Sequence, residues 1–210
     1  MPLLPYRKPL IFTNVKECVP LFQKLNLNKI LLVTDSFLRT SGITKSLEDF
    51  MSQNNIECVV YDKTNPNPTV KNVNEAKQLY IENNCQGIIA FGGGSSMDCA
   101  KALGVQIVYP KKTLGQLKGI LKVHKKLPLL IAIPTTAGTG SETTLAAIIT
   151  DSKTRHKYAI NSFPLIPHYA VLDAKVTLSL PKSITATTGM DALTHAVEAY
   201  IGKSNTTQTR

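Results

Sequence analysis

Gly87-Ile88-Ile89-Ala90-Phe91-Gly92-Gly93-Gly94-Ser95-Ser96-Met97-Asp98 decides how this 210-residue chain is read. The opening apolar run reads as a buried parallel strand, and Cys99-Ala100-Lys101-Ala102-Leu103-Gly104-Val105 beyond it suits a tightly packed helix. Three consecutive glycines allow backbone conformations closed to other residues and keep side chains out of a ligand's way. Ser95 and Asp98 have the S-x-x-D spacing of a capping box, which predicts a helix start there. Amides at a helix N-terminus, with the positive end of the helix dipole, make a seat for phosphate. The plainer alternative is a tight turn with no ligand. The stretch is neither G-x-G-x-x-G nor G-x-x-x-x-G-K-S/T, so neither standard nucleotide fingerprint applies.

Upstream, strand and helix patterns alternate. Leu10-Ile11-Phe12 is a short strand candidate, and Asn14 can cap a helix with Val15, Val19, Leu21, Phe22 and Leu25 on one face. Pro20 lies inside that span, so the helix starts later or kinks. Lys29–Asp35 reads as a buried strand ending in an acid. An acid there either accepts hydrogen bonds from ribose hydroxyls and repels a 2′-phosphate, or caps the next helix. Residues 43–54 read as a helix, Glu57–Tyr61 as a strand and Val70–Asn83 as a helix with Val73, Ala76, Leu79 and Tyr80 inward. Between them, Asn65-Pro66-Asn67-Pro68-Thr69 is a rigid wall beside a ligand or simply a turn. The alternation predicts an open parallel α/β sheet with helices on both faces. Asp35, Asn67 and Gly92–Ser95 all fall at the carboxyl ends of its strands, where such sheets bind ligands.

Downstream, a basic stretch at 110–126 carries little pattern. The run at 127–133 is a further buried strand, with Pro128 near its start. It leads into Pro134-Thr135-Thr136-Ala137-Gly138-Thr139-Gly140-Ser141-Glu142-Thr143, a second loop of small and hydroxyl residues. Thr139 and Glu142 make a T-x-x-E capping box, so the loop suits either a phosphate or carboxamide ligand or a capped helix start. No G-x-S-x-G elbow surrounds Ser141, which excludes it as a nucleophile of that type. Ala146–Thr150 and His156–Ile160 flank a turn and predict a hairpin. Lys157 on its second strand is either a solvated charge or a ligand contact. Tyr169–Asp173 is a last strand. The final stretch, Thr188–Tyr200, is strongly helical and places Asp191 and His195 at i and i+4, on one face, as two ligands of one metal must be. A carboxylate with an imidazole suits iron or zinc. Leu193, Ala196 and Val197 are expected to keep that site dry. The alternatives are a capping box from Thr188 to Asp191 and a satisfied core histidine.

Composition bounds the class. Hydrophobic residues at 43% and charged residues at 18% describe a globular chain with a sizeable core. No apolar run approaches the ~20 residues that span a bilayer, and no signal peptide is recognised, which predicts no membrane partner and a cytoplasmic protein. Cys18, Cys58, Cys85 and Cys99 lack metal-type spacing and are expected to be reduced thiols. The net charge of +10 invites a nucleic-acid reading. The lysines are dispersed, however, without interleaved aromatics, so no nucleic-acid partner is expected and solvated lysines suffice.

Taken together, G-G-G-S-x-x-D-x-A-K at 92–101, P-T-T-A-G-T-G-S-E at 134–142 and G-M-D-A-L-T-H-A-V-E-A-Y at 189–200 resemble the iron-containing alcohol dehydrogenase family. V-T-D at 33–35 and N-P-T at 67–69 agree in order and spacing. The resemblance runs from about residue 10 onward. It implies a Rossmann-like, dehydroquinate synthase-like α/β domain over 1–180 that binds NAD or NADP. Residues 181–210 would be the first helix of an all-helical metal-binding domain. Carried over residue by residue, it implies that Asp35 holds the adenosine ribose and favours NAD over NADP. Asn67, Gly93, Gly94, Ser95 and Asp98 would line the cofactor and its pyrophosphate. Thr135, Thr136 and Thr139 would touch the cofactor, and Lys157 would sit near its nicotinamide end. Asp191 and His195 would bind Fe²⁺, with Zn²⁺ the alternative. The implied reaction is hydride transfer between a small-molecule alcohol or aldehyde and the nicotinamide, in an enzyme that is a homo-oligomer when complete.

Members of the family supply two further histidine ligands from the helical domain, and His124, His156 and His168 do not match those positions. The chain is therefore expected to be an N-terminal portion of such an enzyme, with poor turnover alone. The rival readings are a nucleotide-binding module without catalysis and a zinc-dependent glycerol or polyol dehydrogenase.

Overall fold

The computed structural model describes residues 7–203 apart from Lys153 and Ser179. From β1 (Leu10–Phe12) the chain enters a 3-10 turn at Val15–Glu17. Asn14 caps it, taking the Lys16 amide on its side chain while Glu17 takes the Asn14 amide. The helix proper, α1 (Cys18–Lys24), starts after that turn. Pro20 then lies in the first turn, where the absence of its N–H breaks no helical bond. β2 (Lys29–Val33), α2 (Ser36–Thr40), α3 (Ile43–Gln53), β3 (Glu57–Tyr61), α4 (Val70–Glu82), β4 (Gly87–Gly92) and α5 (Gly94–Val108) follow. The basic stretch holds a short α6 (Leu114–Leu117) and β5 (Gly119–Ile120), pinned by the buried Leu114, Leu117 and Val123. β6 (Leu129–Pro134), β7 (Ala146–Thr150), β8 (Lys157–Asn161), β9 (Tyr169–Val171) and α7 (Lys182–Ile201) complete the chain.

Six strands make one sheet in the order β1-β9-β6-β4-β2-β3, every pair parallel. Its central strands carry almost nothing polar because both faces are covered. Period-two alternation then sorts their side chains. Leu31, Val33, Ile88, Ala90, Leu130 and Ala132 join the core beneath α4 and α5, while Ile30, Leu32, Ile89, Phe91, Ile131 and Ile133 join the core beneath α1 and α3. The fold is the expected α/β sheet flanked by helices. The chain steps outward from β2 to β3, then places β4 on the other side of β2. That reversal opens a crevice at the carboxyl ends of β2 and β4, the position where open α/β sheets bind ligands. The predicted hairpin is also present, as antiparallel β7 and β8 with Lys157 opposite Thr150; parallel β5 completes a three-stranded sheet. Lys153 in its turn lies outside the described residues.

The capping boxes read at Ser95–Asp98 and Thr139–Glu142 do not form. α5 begins at Gly94 with Gly93 as its cap and no side-chain cap bond, because Asp98 is engaged elsewhere. Its carboxylate accepts from the Ser141 hydroxyl and the Ile148 amide, each at 3.0 Å. No helix follows Thr139; its hydroxyl accepts instead from the Ser141 amide at 3.3 Å. The carbonyls of Ser141, Thr144 and Ala146, which a helix would need, are taken by the ammonium of Lys101. The Thr188–Asp191 box also fails, since α7 already starts at Lys182 and the Thr188 hydroxyl donates to the Ile184 carbonyl.

Candidate functional site

A cleft of about 560 Å³ occupies the crevice. One wall comes from the end of β2, where Asp35 caps α2 by accepting the Leu38 amide at 2.9 Å. The helix-capping alternative for Asp35 is thus realised, and the residue still borders the cleft. Gly93, Gly94 and Ser95 form the floor, Thr135, Thr136 and Thr139 the facing wall, and Leu180, Pro181, Ile184 and Thr188 at the start of α7 the far side. Seven of the ten sequence-predicted cofactor residues therefore meet in one cleft, and Asn67, Asp98 and Lys157 do not line it.

The glycine turn has a definite geometry. Gly92 has φ +149°, and a Cβ there would lie 2.5 Å from Ser96 Oγ, so both backbone and space require glycine. A Cβ on Gly94 would come within 3.1 Å of Thr139 Cγ2, and one on Gly93 within 3.3 Å of Thr136 Oγ1. The two loops predicted from sequence thus touch across the floor. The start of α5 has no side-chain cap, which leaves its dipole and first-turn amides to an anion. Thr136 Oγ1 is buried without a partner, a hydroxyl that a ligand would satisfy. These features fit a dinucleotide carrying a pyrophosphate.

Asn67 and Lys157 stand at the rim. Asn67 has φ +58°, tolerable for asparagine. Its amide donates to Ser95 Oγ at 3.3 Å, and its side-chain oxygen accepts from Lys157 Nζ at 2.8 Å. Asp98 points away, into the contact between α5 and β7; burial pushes its carboxyl up from the ordinary value against the pull of Lys101, the Ile148 amide and the Ser141 hydroxyl. Sequence reasoning missed Lys101, quoted only as part of a motif. A lysine among Cys99, Ala100, Ala102 and Leu103 in an otherwise buried helix was the available signal.

Asp191 and His195 share a face of α7, with Oδ1 and Nε2 3.7 Å apart. That gap suits two donors each about 2.1 Å from one ion. Glu198 lies 4.0 Å from the other ring nitrogen. No group of three or more His, Cys, Asp or Glu able to hold a metal exists among the described residues. The expected dry surround is not observed: Leu193 and Val197 are 56% and 48% exposed, because no described element packs over this face. The donor set fits a divalent metal as a partial site. The four cysteines are free, as expected, and among the described residues no helix is long and apolar enough to cross a membrane.

Comparison with known proteins agrees with this geometry. Residues 10–174 match the family model "Iron-containing alcohol dehydrogenase". A choline dehydrogenase of Bacillus subtilis (strain 168) is 40% identical over 181 residues, 85% of this chain and 45% of that protein. An NAD-dependent methanol dehydrogenase of Bacillus methanolicus is 35% identical over 192 residues, 91% of this chain and 50% of that protein. The chain thus spans about half the length of these curated relatives. Among solved structures, a 1,3-propanediol oxidoreductase superposes with a TM-score of 0.92 at 34% identity, over 98% of this chain and 55% of that one. A sulfoacetaldehyde reductase of Bifidobacterium kashiwanohense, solved in complex with NAD⁺, superposes with a TM-score of 0.82 at 32% identity, over 94% of this chain and 53% of that one. With the fold, the glycine turn at a sheet reversal and the paired donors of α7 in place, these matches establish that the chain belongs to the iron-containing alcohol dehydrogenase family.

Proposed function

We propose that this chain provides the NAD-binding part and two metal ligands of an alcohol dehydrogenase. The observation that carries the reading is the meeting of two separate loops, Gly92–Ser95 and Thr135–Thr139, over an uncapped helix start at the sheet's topological reversal. Gly93, Gly94 and Ser95 would hold the pyrophosphate on the first turn of α5. Thr135, Thr136 and Thr139 would donate hydroxyl hydrogen bonds to the cofactor from the facing wall. Asp35 keeps one carboxylate oxygen on the Leu38 amide and would offer the other to the ribose, which favours NAD over NADP by repelling a 2′-phosphate. Lys157 and Asn67, already joined at the rim, would close over the nicotinamide end. Asp98 supports the floor from behind.

Asp191 and His195 would hold Fe²⁺, with Zn²⁺ the alternative. When bound, the nicotinamide would accept a hydride and the ion would polarise the alcohol oxygen. Both substrate class and metal rest on the family and the donor set. The remaining coordination positions would be filled by water or by groups beyond the described residues. The protein would act on a small alcohol or aldehyde, within a homo-oligomer and in the cytoplasm. A second reading, a nucleotide-binding module without catalysis, is favoured by the open, two-donor metal face of α7.

Calorimetric titration of the 210-residue chain with NAD and with NADP, with and without Fe²⁺ or Zn²⁺, tests the reading. NAD binding tighter than NADP binding is expected, with turnover far below the ~10 s⁻¹ of ordinary enzymes. A folded chain that binds neither nucleotide would refute the nucleotide site. Turnover near the ordinary value would refute the second reading and the partial character of the metal site.

A further inference from the structure

Lys101 is the only fully buried charged side chain among the described residues. Its ammonium donates to the carbonyls of Ser141, Thr144 and Ala146 at 2.6, 2.9 and 2.9 Å. It also reaches the hydroxyls of Ser141 and Thr144 at 3.1 and 3.0 Å. One turn earlier on α5, Asp98 takes the same Ser141 hydroxyl and the Ile148 amide. α5 therefore grips the segment 141–148 at two successive turns. That segment is continuous with Thr139, whose methyl stands over Gly94. Only one residue separates the gripped Ser141 from the cleft wall.

We propose that Lys101 is a positioning residue of the cofactor cleft. By gathering three backbone carbonyls, it sets how far the Thr135–Thr139 wall stands from the first turn of α5, and so the width offered to the dinucleotide phosphates. This rests on the nucleotide-binding reading above. The Ser141 carbonyl also accepts the Thr144 amide, but an apolar residue in place of Lys101 leaves the carbonyls of Thr144 and Ala146 to find water, and they can do so only if the loop swings outward. An ammonium is suited to the task because three donors on one atom converge on neighbouring acceptors. Burial draws Lys101 down to about 8, against the opposing pull of Asp98 on its own helix and Glu142 on the gripped segment. The five oxygens hold it protonated at neutral pH. Loss of the proton removes one donor and the charge from the clamp.

The test uses the 210-residue chain and Lys101→Met, with NAD titration at pH 7 and pH 9.5 and hydrogen exchange of residues 135–146 without ligand. In Lys101→Met, NAD affinity is expected to fall about tenfold or more. Exchange in 135–146 should rise while β4 stays protected. The parent's affinity should weaken severalfold between the two pH values and that of Lys101→Met should stay flat, a difference that a general loss of stability would not produce. A folded Lys101→Met with parental affinity and parental exchange overturns the proposal. Should Lys101→Met fail to fold, Ser141→Ala keeps the ammonium and all three carbonyls and removes only the hydroxyl joining Lys101 to Asp98. A severalfold weaker affinity with faster exchange in 135–146 is then expected, and unchanged values overturn the proposal. If the parent binds no NAD, the nucleotide reading fails. Exchange then decides the clamp separately: unchanged exchange in both variants overturns it, and faster exchange supports it.

Discussion

Replacing Gly92 with alanine perturbs the turn between β4 and α5 at one carbon atom. At φ +149° an L-residue incurs roughly 1–3 kcal/mol of backbone strain. The new Cβ would lie 2.5 Å from Ser96 Oγ, 2.9 Å from Ser96 Cβ and 3.3 Å from Leu38 Cδ1. The hydroxyl can rotate away, but Ser96 Cβ is fixed by the helix backbone, so overpacking adds about 1–3 kcal/mol. The sum is about 2–6 kcal/mol, and at ~2–4 °C per kcal/mol for a chain of this size the melting midpoint should drop by roughly 10 °C. Relief of the clash would tilt the first turn of α5, so NAD affinity should fall with stability. Circular-dichroism melts and NAD calorimetry on Gly92→Ala would read both effects. Gly115→Ala is the control, since its Cβ would meet nothing nearer than Thr113 Oγ1 at 3.9 Å, and it should melt at or slightly above the parent. A Gly92→Ala chain melting within about 2 °C of the parent, with undiminished NAD binding, would refute the reasoning.

Asp35→Asn preserves the cap on α2, because asparagine caps as well as aspartate, but removes the charge. Stability should hold while NADP affinity rises toward that of NAD; unchanged discrimination in paired titrations would show that Asp35 does not select the cofactor. A Cβ on Gly138 would lie 2.5 Å from the Thr188 carbonyl oxygen, a backbone atom that cannot rotate away. Gly138→Ala should therefore push α7 off the cleft, costing about 1–3 kcal/mol, and speed hydrogen exchange in its first turns; parental exchange there would contradict this. Burial, with Arg7 and Lys126 nearby, draws His168 down to about 4, while its Nδ1 accepts the Leu130 amide. Between its ordinary 6.5 and 4 the unfolded chain binds the proton first, so this group lowers stability as the pH falls through that window. After discounting for partial exposure the loss by pH 4.5 is on the order of 2 kcal/mol. Urea unfolding of His168→Gln should show a correspondingly shallower decline, and parallel pH profiles would count against the assignment.

What the sequence made legible follows physical range. β2, β4 and β6 could be read because strands covered on both faces need unbroken apolar runs, and little else in the chain has them. The clustering of Asp35, Gly94 and Ser95 could be read because each immediately follows such a strand. The start of α5 could be read to within a residue, but its capping and the course of 139–146 could not. A capping box is a local rule, and here Asp98 and Lys101 override it through bonds to residues 40 or more positions away. Serine, threonine and glutamate at cap spacing carry no mark of a lysine that competes for their carbonyls. The short α6 and β5 were hidden for a related reason, since a few apolar anchors among lysines leave too short a period to detect. At α7 the pairing of Asp191 with His195 was plain from spacing, while the exposure of Leu193 and Val197 depends on what packs over them, which spacing does not encode.

The central claim is that a dinucleotide lies in the crevice between β2 and β4 with its phosphates on the start of α5. Backbone amide shifts of the isotope-labelled 210-residue chain, followed by NMR as NAD is added, test it most directly. The account predicts the largest changes at Gly93–Ser96, with a second group at Thr135–Thr139 and a third at Asp35–Leu38. Changes centred instead on Asn28, Asn55 and Glu57, which line a cavity at the opposite ends of the strands, would contradict it.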